Sequence, residues 1–326
     1  AMTIWQYIKD HDNGITNFHF EISADLLREN ELELMSTMRP GLIQLEIGIQ
    51  STNPETITEI RRKMNFEEVK RIVKRVQEKG NVHQHLDLIA GLPYEDYERF
   101  AQSFRDVYAL HPEQLQLGFL KVLKGSYMHE KTEDYQLLYQ DRPPFEVLST
   151  KWLSYDDVIR LKGVEEMVEV YYNSGQFIRT VKAMEELFLR LLEEEFTDTF
   201  ALYESLSRYY EENGLHMINH SRITRYEVLF AFIKACVEKN VENYRQMLIL
   251  DLYLRENVKK RPEFAGEVSV DKQKASAFYE KEAEERRYLK GYEGYDKRQL
   301  RKMTHLEQIN GNLYVFDYRN RNVLTN

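Results

Sequence analysis

The sequence predicts an α/β protein, with a parallel sheet built from βα units followed by a mainly α-helical region. Three observations carry this. Short apolar runs at residues 17–22, 43–49, 82–90 and 114–122 alternate with helix-length patterns at 25–38, 66–79 and 94–110. Pro143-Pro144 then breaks the alternation. Beyond it nearly every segment reads as helix. A length of 326 residues suits about two domains, and we divide them at this break: 1–142 for the βα region, 143–326 for the helical one.

The helical region carries candidate helices at 155–172, 177–195, 198–212, 222–238, 241–257 and 271–288. Asn173-Ser174-Gly175 and Asn213-Gly214 read as helix ends, where glycine takes the left-handed conformation at little cost. Near the end, 306–309 and 312–318 flank Asn310-Gly311, the strongest short hairpin signal. The charge runs Glu193-Glu194-Glu195 and 280–287 read as solvated helix faces.

Composition excludes several classes. The net charge of −9 argues against a nucleic-acid binder, which needs a surplus of Lys and Arg on one face. No apolar run approaches the ~18 residues of a membrane span. Cys236 is the single cysteine, so the chain makes no internal disulfide, which points to the cytoplasm, and it holds no cysteine-ligated cluster of its own. Lying between Ala235 and Val237 in an apolar helix, Cys236 is expected to be a small buried residue.

Side chains alternate across a strand, so parity assigns faces. His19 and Glu21 share one face of the first strand; Glu46, Gly48 and Gln50 of the second; His83, His85 and Asp87 of the third; Gln114, Gln116 and Gly118 of the fourth. The opposite faces are apolar and suited to packing under helices. A parallel barrel ordinarily fills its interior with bulky aliphatic side chains. Four polar faces instead predict a lumen that holds a ligand, against the alternative of a sheet with one wet face, which is uncommon when all strands are parallel. His83 and His85 admit three readings: a metal pair with no third ligand in view, lumen hydrogen-bonding groups, or plain structure.

Three segments sharpen the picture: Phe20-Glu21-Ile22-Ser23, Glu46-Ile47-Gly48-Ile49-Gln50-Ser51 leading into a helix near Pro54, and Leu86-Asp87-Leu88-Ile89-Ala90-Gly91-Leu92-Pro93. In this order, with Arg62 in the intervening helix, residues 14–125 resemble the middle of the radical S-adenosylmethionine (SAM) superfamily. The likeness is to the branch containing oxygen-independent coproporphyrinogen oxidase and the cobalamin-domain proteins. The helical region, with Leu153-Ser154-Tyr155-Asp156-Asp157 and Tyr171-Tyr172-Asn173-Ser174-Gly175, is similar to the C-terminal region of the latter. The resemblance implies a partial (half) TIM-like parallel barrel ahead of the helical domain. It also implies a SAM-binding role for five residues. Glu21 would meet the methionine amino group, and Gln50, with Ser51 adjacent, the ribose and carboxylate region. Arg62 would hold the carboxylate, with Arg61 its rival for the register, and Asp87 the ribose hydroxyls. Two carboxylates, an amide and a guanidinium suit a zwitterionic amino acid and a diol. The plain reading is that Glu21 and Asp87 merely cap or pair.

The chain departs from the family in lacking the three-cysteine motif that holds the iron–sulfur cluster. The resemblance places that motif ahead of Ala1, so the chain is expected to be a fragment, without radical chemistry of its own. The full-length protein would carry a 4Fe-4S cluster, with cobalamin a further cofactor, and act on a small-molecule substrate. The competing hypothesis is a non-catalytic binding or interaction module. An open sheet edge invites pairing, so a homodimer through that edge is also expected.

Overall fold

The computed structural model describes residues 2–190, 198–216, 218–258, 260–267, 270–320 and 322–325. The last residues of the 177–195 helix candidate, with Glu193-Glu194-Glu195, lie outside them. The chain forms two compact units: Ala1–Asn173 with Phe188–Arg208, and Ser174–Leu187 with Tyr209–Asn326.

The first unit is built on four parallel strands in sequence order, β1 (Phe18–Ile22), β2 (Ile43–Gln50), β3 (His83–Ala90) and β4 (Gln114–Phe119). The strand order and the intervening helices are those of half a TIM-like barrel. Period two decides which side packs. Ile43, Leu45, Ile47, Ile49, Leu86, Leu88, Ala90, Leu115 and Leu117 are buried. Between the strands run α2 (Glu29–Met35), α3 (Pro54–Glu59), α4 (Phe66–Gln77) and α5 (Tyr97–Tyr108), and β3 packs against α4 and α5. In α4, Val69, Ile72, Val73 and Val76 recur at three- and four-residue spacing and form one buried stripe. A short α1 (Met2–Asp10) precedes β1 and sets Trp5 edge-on against Phe20, with ring centroids 4.8 Å apart.

Local chemistry moves several predicted boundaries. The 25–38 helix is a 3₁₀ turn at Ala24–Leu26 followed by α2, because Leu27 and Arg28 adopt extended conformations. The 94–110 helix begins only at Tyr97: Tyr94 has φ +60°, and the Asp96 carboxylate caps the helix by accepting from Arg99 N at 2.9 Å. After β4 come the short α6 (Tyr127–Glu130), β5 (Leu138–Tyr139) and β6 (Val147–Ser149), then α7 (Tyr155–Val168), which runs into a π-helical turn, Glu169–Asn173.

That turn covers the outer edge of the sheet. Leu115 directs its N–H and C=O away from β3, and the Asn173 side chain meets both. Its Oδ1 accepts from Leu115 N and its Nδ2 donates to Leu115 O, each at 2.9 Å. One amide thus stands where a neighbouring strand would. The expected open edge is therefore blocked on the β4 side at Leu115.

The second unit contains α8 (Ile178–Arg190, up to Leu187), the later part of α9 (Thr199–Glu212), α10 (Arg222–Cys236), α11 (Val241–Arg255), α12 (Lys272–Glu285) and α13 (Lys297–Met303). Buried Asp251 of α11 caps the start of α8, accepting from Thr180 N and Thr180 Oγ1 at 2.9 Å and from Arg179 N at 3.2 Å. The unit ends in an antiparallel sheet of β7 (Thr304–Ile309), β8 (Asn312–Asp317) and β9 (Asn322–Thr325). Asn310 and Gly311 both have positive φ, +50° and +79°, as the tight hairpin turn requires. The third strand, β9, was not foreseen. Cys236 corrects the sequence reading: it ends α10 and is exposed, because the helix stops where its apolar stripe does.

Candidate functional site

The polar sheet face organises around β2 and β3. Register places Glu21 opposite Glu46 and Glu46 opposite His85, with Gly48 opposite Asp87 one step further along. Partners in register point to the same side of a sheet, and residues two apart do as well. Glu21, Glu46, His85 and Asp87 therefore share one face. Their side chains are linked: His19 Nε2 lies 3.0 Å from Glu46 Oε1, Glu46 Oε1 lies 3.4 Å from His85 Nδ1, and His85 Nε2 lies 3.4 Å from Asp87 Oδ1.

These groups are short of hydrogen bonds. His85 Nδ1 and Asp87 Oδ1 are buried atoms with no hydrogen-bond partner among the described residues. Burial, with the negative charges of Glu46 and Glu21, pushes the Asp87 carboxyl up from 3.8 to about 7. Burial pushes the His85 imidazole down, opposed by the attraction of Glu46. A protonated Asp87 both donates and accepts, and so suits a hydroxyl-bearing ligand.

At the C-terminal end of β2 the chain bulges, and Gln50 takes φ +70°. This turns its side chain back over Gly48. A Cβ at position 48 would sit 2.5 Å from Gln50 Nε2 and 3.6 Å from Arg62 Nη1, so glycine is what lets amide and guanidinium gather there. The Arg62 guanidinium donates to Gly48 O. Arg62 is half-buried, and burial lowers its pKa against the opposing attraction of Asp25. It also lines a cavity of about 670 Å³ with Asp25, Thr52, Ile57, Asn65 and Phe66. Its rival Arg61 is directed elsewhere, its guanidinium carbon 3.9 Å from the Tyr127 ring centroid.

Glu21 and Asp87 thus share the polar face, and Gln50 and Arg62 cover the glycine in register with Asp87. Ser51 does not join them. It is buried, and its hydroxyl donates to Glu95 Oε1 at 2.7 Å, an oxygen that also accepts from Ser103 Oγ at 2.7 Å. Burial pushes Glu95 up to about 7, against the pull of those two hydroxyls. Alongside, Asn53 Nδ2 donates to Tyr94 O and Thr56 Oγ1 to Pro93 O, both at 2.7 Å. Part of the two motifs therefore fastens adjacent βα loops to each other. Glu95, Asn53 and Thr56 were not singled out from sequence. Asn53 alone carried a signal, as the cap preceding Pro54 at the first helical position. Glu46 and His85 were assigned to the polar face by parity, but their central place in the linked chain follows from register.

Among the described residues no group of three His, Cys, Asp or Glu side chains could hold a metal ion.

Comparison with known proteins gives two family matches. Residues 133–324 match the family described as "Protein of unknown function (DUF4080)", and residues 2–107 match "Radical SAM superfamily". The oxygen-independent coproporphyrinogen III oxidase of Paracoccus denitrificans is 31% identical over 98 residues, covering 30% of this chain and 22% of the relative. That of Escherichia coli K12 is 30% identical over 105 residues, covering 30% and 23%. The chain thus spans less than a quarter of the length of these relatives. Among solved structures, the Escherichia coli coproporphyrinogen III oxidase aligns at a TM-score of 0.38 and 18% identity, covering 53% of this chain and 36% of that one. A radical SAM methyltransferase of Kitasatospora setae, solved with cobalamin and a [4Fe-4S] cluster, aligns at 0.36 and 15%, covering 47% and 32%.

Proposed function

The chain belongs to the family described as "Protein of unknown function (DUF4080)" and carries a radical SAM superfamily domain, and from this premise we propose that its polar sheet face is part of the SAM-binding site of an iron–sulfur oxidoreductase acting on a small molecule. The observation that supports this most is the gathering of Gln50 and Arg62 over Gly48, in register with Asp87, on the face that also carries Glu21. Asp87, with a buried unpartnered oxygen, would take the ribose hydroxyls, Glu21 the amino group, and Gln50 and Arg62 the carboxylate region. Ser51 is engaged in the loop network and contributes by fixing the backbone that follows Gln50.

The cluster does not fit this chain's own residues. A single cysteine cannot supply three thiolates, so in our reading the cluster thiolates come from outside these 326 residues. No described helix is long and apolar enough to cross a membrane. The unpaired cysteine supports a cytoplasmic setting.

The reading is tested by ligand-observed NMR of SAM with this chain. Without the cluster, which would chelate the amino and carboxylate groups, binding is weak, and saturation transfer reads it directly. Asp87→Ala should abolish the transfer and Cys236→Ala should leave it unchanged. Equal effects of the two substitutions would remove Asp87 from the site.

A further inference from the structure

We propose that the cleft beside Arg62 is a second ligand site, and that it takes an organic acid: one carboxylate carried on an apolar body. The cleft is lined by residues that follow β2, from Thr52 to the first turn of α4, together with Asp25. β2 lies inside the sheet, flanked by β1 and β3. At about 670 Å³ the cleft has the capacity of a small-molecule site.

Charge selects the occupant. Arg62 and Lys63 both line the cleft, and neither forms an ion pair among the described residues; the guanidinium donates to the neutral Gly48 carbonyl. Two carboxylates share the lining, and each is already engaged. Glu67 Oε1 lies 2.6 Å from the Lys70 ammonium, which cancels its charge. The Asp25 carboxylate accepts from Ser23 Oγ at 2.7 Å and from Asn65 N at 3.3 Å, and its attraction acts on Arg62. The start of α4 is therefore not itself the binder, since Asp25 and the Asn65 side chain, which accepts from Glu68 N, already cap it. Set against Arg62 and Lys63, Asp25 leaves a surplus of positive charge, in a chain whose net charge is −9. A surplus of a single charge matches one carboxylate better than a doubly charged phosphate. The rest of the lining is apolar: Pro54, Ile57, Met64 and Phe66 give the body of the acid a surface to cover. Arg62 joins this cleft to the gathering over Gly48. On the reading that this gathering holds SAM, which the assignment extends, the acid is the small-molecule substrate, and Lys63 is the residue that selects it.

Saturation-transfer NMR with benzoate, benzamide and SAM on the same samples tests it, with circular dichroism to confirm folding. Benzoate and benzamide share a shape and differ in charge, so wild type should bind benzoate roughly threefold to fivefold more tightly, the discrimination of one partly exposed ion pair. Lys63→Gln should remove that preference and leave SAM transfer unchanged. Asp25→Asn, which takes away the opposing carboxylate, should raise benzoate affinity by a similar factor. Lys74→Gln, at an exposed lysine of α4 outside the cleft, should alter neither ligand. Equal uptake of benzoate and benzamide by wild type, no benzoate transfer at all, or a Lys74→Gln effect equal to that of Lys63→Gln would overturn the proposal. Loss of SAM together with benzoate in Lys63→Gln would overturn it too, by making the cleft part of the SAM site. Benzoate binding that depends on Lys63, in a wild type without SAM transfer, would uphold the acid site and strike the SAM reading alone.

Discussion

Replacing Asp87 with Asn should stabilise the protein at alkaline pH and leave it unchanged in acid. The folded-state carboxyl titrates at about 7 against an ordinary 3.8. Its pKa is raised, so the ionised form is the costly one. Below 3.8 both folded and unfolded chains hold the proton and the group is neutral in its effect. As pH climbs from 3.8 to 7 the unfolded chain releases its proton first, and stability falls. Above 7 the loss is complete. The interval corresponds to about 4 kcal/mol. The side chain is 23% exposed, and solvent screening reduces this to about 2 kcal/mol. Asparagine keeps the shape and has no charge to bury. Urea unfolding of wild type and Asp87→Asn at pH 5 and pH 8 reads the difference directly, and other titrating groups cancel between the two proteins. Asp87→Asn should gain about 2 kcal/mol at pH 8 and about 0.8 kcal/mol at pH 5. A variant less stable than wild type at pH 8, or equally shifted at both pH values, would refute the account of a carboxyl held against burial and the charges of Glu46 and Glu21.

Gly48→Ala drives a methyl group into Gln50 Nε2, the far end of a flexible side chain. The amide can swing away, so unfolding stability should change by less than about 1 kcal/mol, while saturation transfer to SAM should be lost; an unaltered NMR signal would show that Gln50 and Arg62 need not gather there. Asn173→Ala strips two hydrogen bonds from Leu115 and should cost about 1–3 kcal/mol in urea unfolding. A smaller cost would mean that water satisfies the β4 edge equally well.

Features that depend on periodicity and on near neighbours along the chain were legible in the residues alone. Alternation in β2 and β3 assigned polar and apolar faces, because successive side chains of a strand must point to opposite sides. Pro54 at the first helical position and Asn310-Gly311 in the terminal hairpin were equally legible, since each acts within a few residues. The motif order around Glu21, Glu46–Ser51 and Asp87 pointed to the superfamily. Tertiary structure decided the rest. Gln50 lies over Gly48 because a bulge reverses its direction, and parity alone cannot register a bulge. Ser51 turns into a buried network because Glu95, distant in sequence, offers it an acceptor. Arg62 rather than Arg61 reaches Gly48 because Tyr127 holds the other guanidinium. Cys236 is exposed because α10 ends there, and Asn173 closes a sheet edge from 58 residues away. Each of these outcomes turns on a partner brought close only by folding, and local pattern holds no record of it.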